Sequence, residues 1–136
     1  MPSENKVALD CPAGSDARRV FNYDEALARA DGDGELLTEL MGMYLEQSKE
    51  DLLEIEAAID RKDAKRLEFV AHSLKGASAT LAAELVREQA YRMEKLGASG
   101  NLAEAPALLG LIKESINITN ELVSKAITRS RTEGRP

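Results

Sequence analysis

The sequence predicts an all-α protein: an antiparallel up-down four-helix bundle with a short additional helix at its N-terminal end. Three observations carry this expectation. Apolar residues recur at three- and four-residue steps along four segments, the period of a helix face rather than of a strand. Aromatic residues make up only 4% of the 136 residues and Trp is absent, so the core must come from Leu, Ile, Val, Ala and Met, a palette that favours helices over sheets. The links between the four segments are a few residues long, which makes neighbours in sequence antiparallel neighbours in space.

Residues 1–19 mix Pro2, Pro12, Gly14 and several charges without an apolar period and are expected to form a flexible arm. The bundle is assigned to residues 20–127. It opens with a short helical turn over residues 24–30, punctuated by Asp31-Gly32-Asp33-Gly34. Asp31 and Asp33 are expected to cap helices; a calcium loop would need a glutamate at its twelfth position, and the chain turns at once into apolar helix instead.

A first long helix, about residues 35–61, carries Leu37, Met41, Tyr44, Ser48, Leu52, Ile55 and Ile59 on its inner stripe. Lys62-Asp63 interrupts it, with Asp63 the N-cap of a second helix whose inner positions are Ala64, Leu67, Ala71, Leu74, Ser78 and Leu81. A third, about residues 83–96, buries Val86, Ala90 and Met93 and stops at Gly97. The fourth, about residues 103–127, has Pro106 in its opening turn and buries Leu109, Ile112, Ile116, Thr119, Leu122 and Val123. Residues 128–136, with three arginines among polar residues, are expected to be a flexible tail.

Charge and cysteine usage narrow the function. A net charge of −6 repels phosphate backbones and argues against nucleic acid as the partner; a protein partner fits better. Apolar runs fall far short of the ~20 residues that cross a bilayer, and no basic-then-apolar leader opens the chain, so neither a membrane span nor a signal peptide is expected. Cys11 has no second cysteine, which rules out a disulfide framework or a cysteine metal site and suits a reducing, cytoplasmic setting.

The segment Ala71-His72-Ser73-Leu74-Lys75-Gly76-Ala77-Ser78 is the most specific part of the chain. At ~100° per residue, His72, the single histidine, points roughly 120–140° away from a stripe centred on Ala71 and Leu74, toward solvent. Lys75 and Gly76 share its surface at i+3 and i+4, with Glu68 one turn before and Ala79 beyond. Moving a phosphoryl group through histidine needs a neutral ring nitrogen as nucleophile and open space for in-line approach. Lys75 can neutralise the transferred oxygens as a point charge. Gly76 leaves room for another protein's active site, which offsets the ~1 kcal/mol that glycine costs inside a helix. Taken singly these residues have plainer readings: a solvated histidine, a surface lysine and a helix-packing glycine.

Together they resemble the signature of histidine phosphotransfer (HPt) domains. Phe21-Asn22-Tyr23-Asp24, Gly32-Asp33 through Leu36-Leu37 and Met43-Tyr44-Leu45 resemble the start of that family's fold. Ala57-Ala58-Ile59-Asp60, Lys62-Asp63 and Leu67 resemble the run into its histidine helix, and Met93-Glu94 with Gly97 and Gly100 its third helix and turn. The resemblance covers about residues 20–125. It implies that His72 is the phosphoacceptor, that Lys75 and Gly76 act as argued above, and that Glu94 helps orient the site. Ala82 stands where the family usually has glycine.

The function this implies is a monomeric, non-catalytic phosphocarrier. It takes a phosphoryl group on His72 from a phospho-aspartyl receiver domain or a hybrid sensor histidine kinase and passes it to a response regulator aspartate. No cofactor and no metal are expected of the carrier; divalent metal belongs to the receiver's acidic pocket. A Gly-rich phosphate loop and an ATP-binding lobe are missing from the sequence, so kinase activity is not expected. The alternative is an interaction module that docks receiver domains without transfer. Metal or acid-base enzyme chemistry at His72 lacks a second ligand. Docking is expected around His72 and on the first long helix, at Met43 and Leu53.

Overall fold

The computed structural model describes residues 17–133 of the chain, all helix and short links. Six helices follow one another: α1 (Ala17–Val20), α2 (Tyr23–Arg29), α3 (Gly34–Asp60), α4 (Ala64–Thr80), α5 (Glu84–Ser99) and α6 (Ala105–Glu133). The long helices α3 to α6 each pack on their chain neighbours, and α6 closes the ring against α3.

Side-chain pairs set the direction of each neighbour. Between α3 and α6, Thr38 meets Ser130 (3.1 Å), Ser48 meets Asn120 (3.0 Å) and Glu56 meets Lys113 (3.6 Å). Numbers rise on one helix as they fall on the other, so the pair is antiparallel. Tyr44 with Ser78 (2.9 Å) and Glu54 with Arg66 make α3 and α4 antiparallel in the same way.

Helix starts follow capping chemistry. Asn22, Asp33 and Asp63 accept from the backbone N–H groups of Glu25, Leu36 and Arg66, satisfying one orphan donor of α2, α3 and α4. The expected cap roles of Asp33 and Asp63 are therefore met, whereas Asp31 takes a left-handed turn conformation (φ 59°) instead of capping.

The core is built in two stacked parts. Ile55, Leu67, Leu74, Val86, Met93, Ile112 and Ile116 fill the part enclosed by all four long helices. Around the α4–α5 link and beyond it, the longer α3 and α6 continue, and Leu37, Met41, Tyr44 and Val123 pack there with Phe21, Ala26 and Ala30 of the N-terminal segment. Burying these side chains out of water is the main stabilising term.

Several boundaries differ from the sequence expectation. The short N-terminal helix is present as α2, and among the described residues one further turn, Ala17–Val20, precedes it because Val20 is fully buried against Leu85. Residues 1–16, including Cys11, lie outside the described residues. Helix α6 continues past Ile127 to Glu133, since its stripe does not stop: Val123, Ala126 and Ile127 are buried and Ser130 bonds to Thr38. On α3 the buried phase passes through Asp51 rather than Leu52, which is only half-buried.

Gly97 is not a helix stop. Helix α5 runs on to Ser99, and Gly100 (φ 78°) is the left-handed cap. At Gly97 a Cβ would stand 2.6 Å from the Glu68 amide nitrogen and 2.9 Å from the Ala64 carbonyl oxygen, so α4 and α5 touch there backbone to backbone.

Candidate functional site

Helix α4 buries Leu67, Val70, Ala71, Leu74 and Ser78, which turns His72, Ser73 and Gly76 outward. The His72 side chain is 66% exposed, as helical phase requires. Its Nδ1 lies 2.9 Å from Oε2 of Glu94 on α5. The other oxygen of that carboxylate, Oε1, lies 2.8 Å from the Lys75 ammonium. One carboxylate thus bridges the imidazole and the lysine, at a place where Gly97 lets α5 approach α4 closely.

The electrostatics follow from this bridge. The Lys75 hydrogen bond and charge, aided by the His72 imidazole, hold the Glu94 carboxyl below the usual carboxylate range, although its partial burial acts the other way. An ionised Glu94 accepts from Nδ1–H and so favours the tautomer whose lone pair sits on Nε2.

Gly76 has no described residue within 4 Å of where its Cβ would be. Intramolecular packing does not explain this glycine, and the surface beside His72 is open. Glu68 serves the fold through its backbone, against Gly97, and Ala79 through its carbonyl, which accepts from Arg29. The polar cluster therefore unites His72, Lys75 and Glu94, with Gly76 alongside, while Glu68 and Ala79 stand outside it.

Two aromatic residues escaped the sequence reading. Tyr91 stacks under two ammonium groups, Lys75 at 5.1 Å and Lys95 at 4.5 Å from its ring centroid. Phe69, one turn before His72, is 66% exposed, with the Arg66 guanidinium 5.5 Å from its ring centroid. The available signal was the phase of α4: position 69 lies three residues from His72 on its outward face. Met43 and Leu53 on α3 are also exposed, at 64% and 67%. Met43 borders a cavity of about 180 Å³ between α3 and α4, lined as well by Leu40, Tyr44, Gln47, Ala77 and Thr80.

Ala82 explains itself in the structure. It adopts φ 56°, the left-handed region that glycine enters without penalty, while its methyl is buried in the core part that holds Leu37, Met41 and Tyr44. The turn keeps its hydrogen bonds, Ala82 N–H to Ala79 O (3.0 Å) and Asn22 N–H to Ala82 O (3.3 Å).

No helix among the described residues is long and apolar enough to cross a membrane. Among solved structures, the fold is similar to histidine-containing phosphotransfer protein B from Pseudomonas aeruginosa, with a TM-score of 0.74 and 28% identity over 78% of this chain and 93% of that one. It is also similar to the HPT domain of a sensor hybrid histidine kinase from Shewanella, at a TM-score of 0.74 over 82% and 97% of the two chains; at 17% identity that likeness speaks for the fold alone. In sequence the chain is 27% identical, over 111 residues, to multistep phosphorelay regulator 1 of Schizosaccharomyces pombe. That match takes in 76% of this chain and 38% of the longer regulator. Residues 39–122, more than half of the chain and including the whole His72 cluster, match the family model of the Hpt domain, and the protein belongs to that family.

Proposed function

We propose that this protein is a phosphocarrier in a phosphorelay, with His72 as phosphoacceptor. The observation that carries the reading is the pairing of His72 Nδ1 with Glu94 at 2.9 Å on a side chain that is 66% exposed. It dedicates one ring nitrogen to the protein and leaves Nε2 as nucleophile for a partner. Membership of the Hpt family supports this, as do relatives named as a phosphotransfer protein and a phosphorelay regulator.

The step runs as follows. The Nε2 lone pair attacks the phosphorus of an aspartyl phosphate in a receiver domain. The bond from phosphorus to the carboxylate oxygen breaks, and its electron pair returns the aspartate to a free carboxylate. The ring, still protonated on Nδ1, gains positive charge that Glu94 stabilises. Lys75 supplies positive charge near the phosphoryl oxygens, and the open surface at Gly76 admits the partner's active site. Transfer to a response regulator aspartate is the reverse of these bond changes. The chain's role is carriage between partners, without ATP-dependent kinase activity of its own, and its setting is cytoplasmic.

Incubation with a receiver domain radiolabelled on its aspartyl phosphate tests this. Wild type should take up label that is acid-labile and alkali-stable, and His72→Gln should take up none. Equal labelling of the two would overturn the assignment, and unimpaired signalling by His72→Gln would favour a docking module instead.

A further inference from the structure

The Lys75 side chain has two supports. One is the Glu94 carboxylate, 2.8 Å away; the other is the face of Tyr91, whose centroid is 5.1 Å from the ammonium. They differ in kind. A carboxylate partner cancels the charge of the lysine, while an aromatic face attracts it through the ring quadrupole and leaves the charge unspent. A lysine free in solvent would also lose considerable rotamer freedom on engaging a phosphoryl group. Here the side chain is already confined, at 26% exposure.

We propose that Tyr91 is a positioning residue for phosphotransfer, holding the Lys75 ammonium beside His72 when Lys75 exchanges Glu94 for the incoming phosphoryl oxygens. The inference rests on His72 being the phosphoacceptor. Tyr91 touches no reacting atom and acts through Lys75.

Lys95 shares the ring. It lies one turn beyond Tyr91 on α5 and brings its own ammonium to 4.5 Å from the same ring centroid. A phosphoryl group arriving at Nε2 carries negative charge, and the Lys75 ammonium is held on the same carboxylate as His72. Tyr91 is 45% exposed, so its ring can be exchanged without opening the core.

The test uses the full chain and, as phosphodonor, the receiver domain that labels wild type fastest after charging with acetyl phosphate. Transfer rate is measured against donor concentration for wild type, Tyr91→Leu, Tyr91→Phe and Lys75→Met, for Tyr91→Leu combined with Lys75→Met, and for His72→Gln. Tyr91→Leu is expected to lower the maximal rate about threefold without changing the half-saturating donor concentration, the size of effect a partly exposed cation–π contact supports. Tyr91→Phe should restore most of the rate, because it keeps the ring face. In the Lys75→Met background, Tyr91→Leu should change nothing further.

A wild-type rate for Tyr91→Leu, an equal loss in Tyr91→Phe, or an undiminished loss in the Lys75→Met background would each overturn the role of Tyr91 while His72→Gln stays unlabelled. Labelling of His72→Gln at the wild-type level would instead remove the phosphoacceptor reading, and this inference with it.

Discussion

The α carbon of Gly97 faces the backbone of Glu68 so closely that a single methyl group would stand 2.6 Å from the Glu68 amide nitrogen. That contact lies one turn beyond Glu94 on α5 and one turn before His72 on α4, so the glycine fixes the distance across which His72 and Glu94 meet.

Gly97→Ala should therefore damage both stability and the site. Alanine improves helix propensity by ~1 kcal/mol, but overpacking two backbones costs more, on the order of 2–3 kcal/mol. The expected net loss is roughly 1–2 kcal/mol in chemical denaturation. Nitrogen chemical shifts of the His72 ring should lose the preference for protonated Nδ1 as Glu94 moves away. An unchanged midpoint together with an unchanged tautomer would contradict this account.

Left-handed residues provide a second pair of expectations. Lys62 (φ 57°) is exposed in the α3–α4 link, so Lys62→Gly removes backbone strain and loses little packing. A gain of about 0.5–1 kcal/mol should follow, a rise in Tm of roughly 2–4 °C. Ala82→Gly relieves the same strain but deletes a buried methyl worth about 0.8 kcal/mol. Its net change should be near zero in the same thermal scans, which accounts for alanine being tolerated there.

Much of this molecule was legible in its sequence, and what was missed has physical reasons. The four helix faces, the caps at Asp33 and Asp63, and the outward phase of His72 follow from local periodicity and side-chain chemistry. Gly97 was misread because a glycine near a helix end has two uses, a left-handed cap or a close helix crossing, and only the neighbour across the crossing decides between them. Glu94 was placed by resemblance; its reach to both His72 and Lys75 depends on the register of α5 against α4. Tyr91 and Phe69 carry no motif of their own. Their roles come from what they lie beside.

Asp51 is a departure from the apolar pattern that should respond to pH. It is 4% exposed; Oδ1 accepts from Gln47 Nε2 (3.0 Å), and Oδ2 has no protein partner among the described residues. Burial pushes its carboxyl above the ordinary value, opposed by the Gln47 hydrogen bond and reinforced by Glu54 and Glu50. A carboxyl raised in the folded state binds its proton more tightly there, so it opposes folding above the folded value; that penalty fades as pH falls through the folded value and is gone below the unfolded one. Asp51→Asn keeps the shape and the bond from Gln47. It should stabilise the protein by about 1 kcal/mol at pH 7 and by progressively less toward pH 4, measured by denaturant unfolding across that range.

Glu94 should show the opposite sign. Its carboxyl is held low by Lys75 and His72, so it adds stability above the unfolded carboxylate value, and that contribution disappears as pH falls through the lower folded value. Glu94→Gln should cost up to about 1 kcal/mol at pH 7, and the difference from wild type should shrink below about pH 4. A difference that persists undiminished at pH 3 would show that shape, not charge, holds the site together.

Phe69 gives the sharpest expectation for partner binding. Its ring is 66% exposed on the outward face of α4, and the exposed Met43 and Leu53 lie on the adjoining helix. An aromatic side chain left in water beside the proposed phosphoacceptor contributes little to the fold, so Phe69→Ala should alter stability by less than about 0.5 kcal/mol. Aromatic anchors often dominate protein interfaces, and burying this ring under a receiver domain would make its loss cost more than 1 kcal/mol of binding. The half-saturating receiver concentration for transfer should then rise roughly tenfold, and the maximal rate should hardly move, because His72, Lys75 and Glu94 are untouched. Leu53→Asp should weaken the same step if α3 and α4 form one docking face. A normal half-saturating concentration in Phe69→Ala with a reduced maximal rate would place the ring in the chemistry instead of the interface.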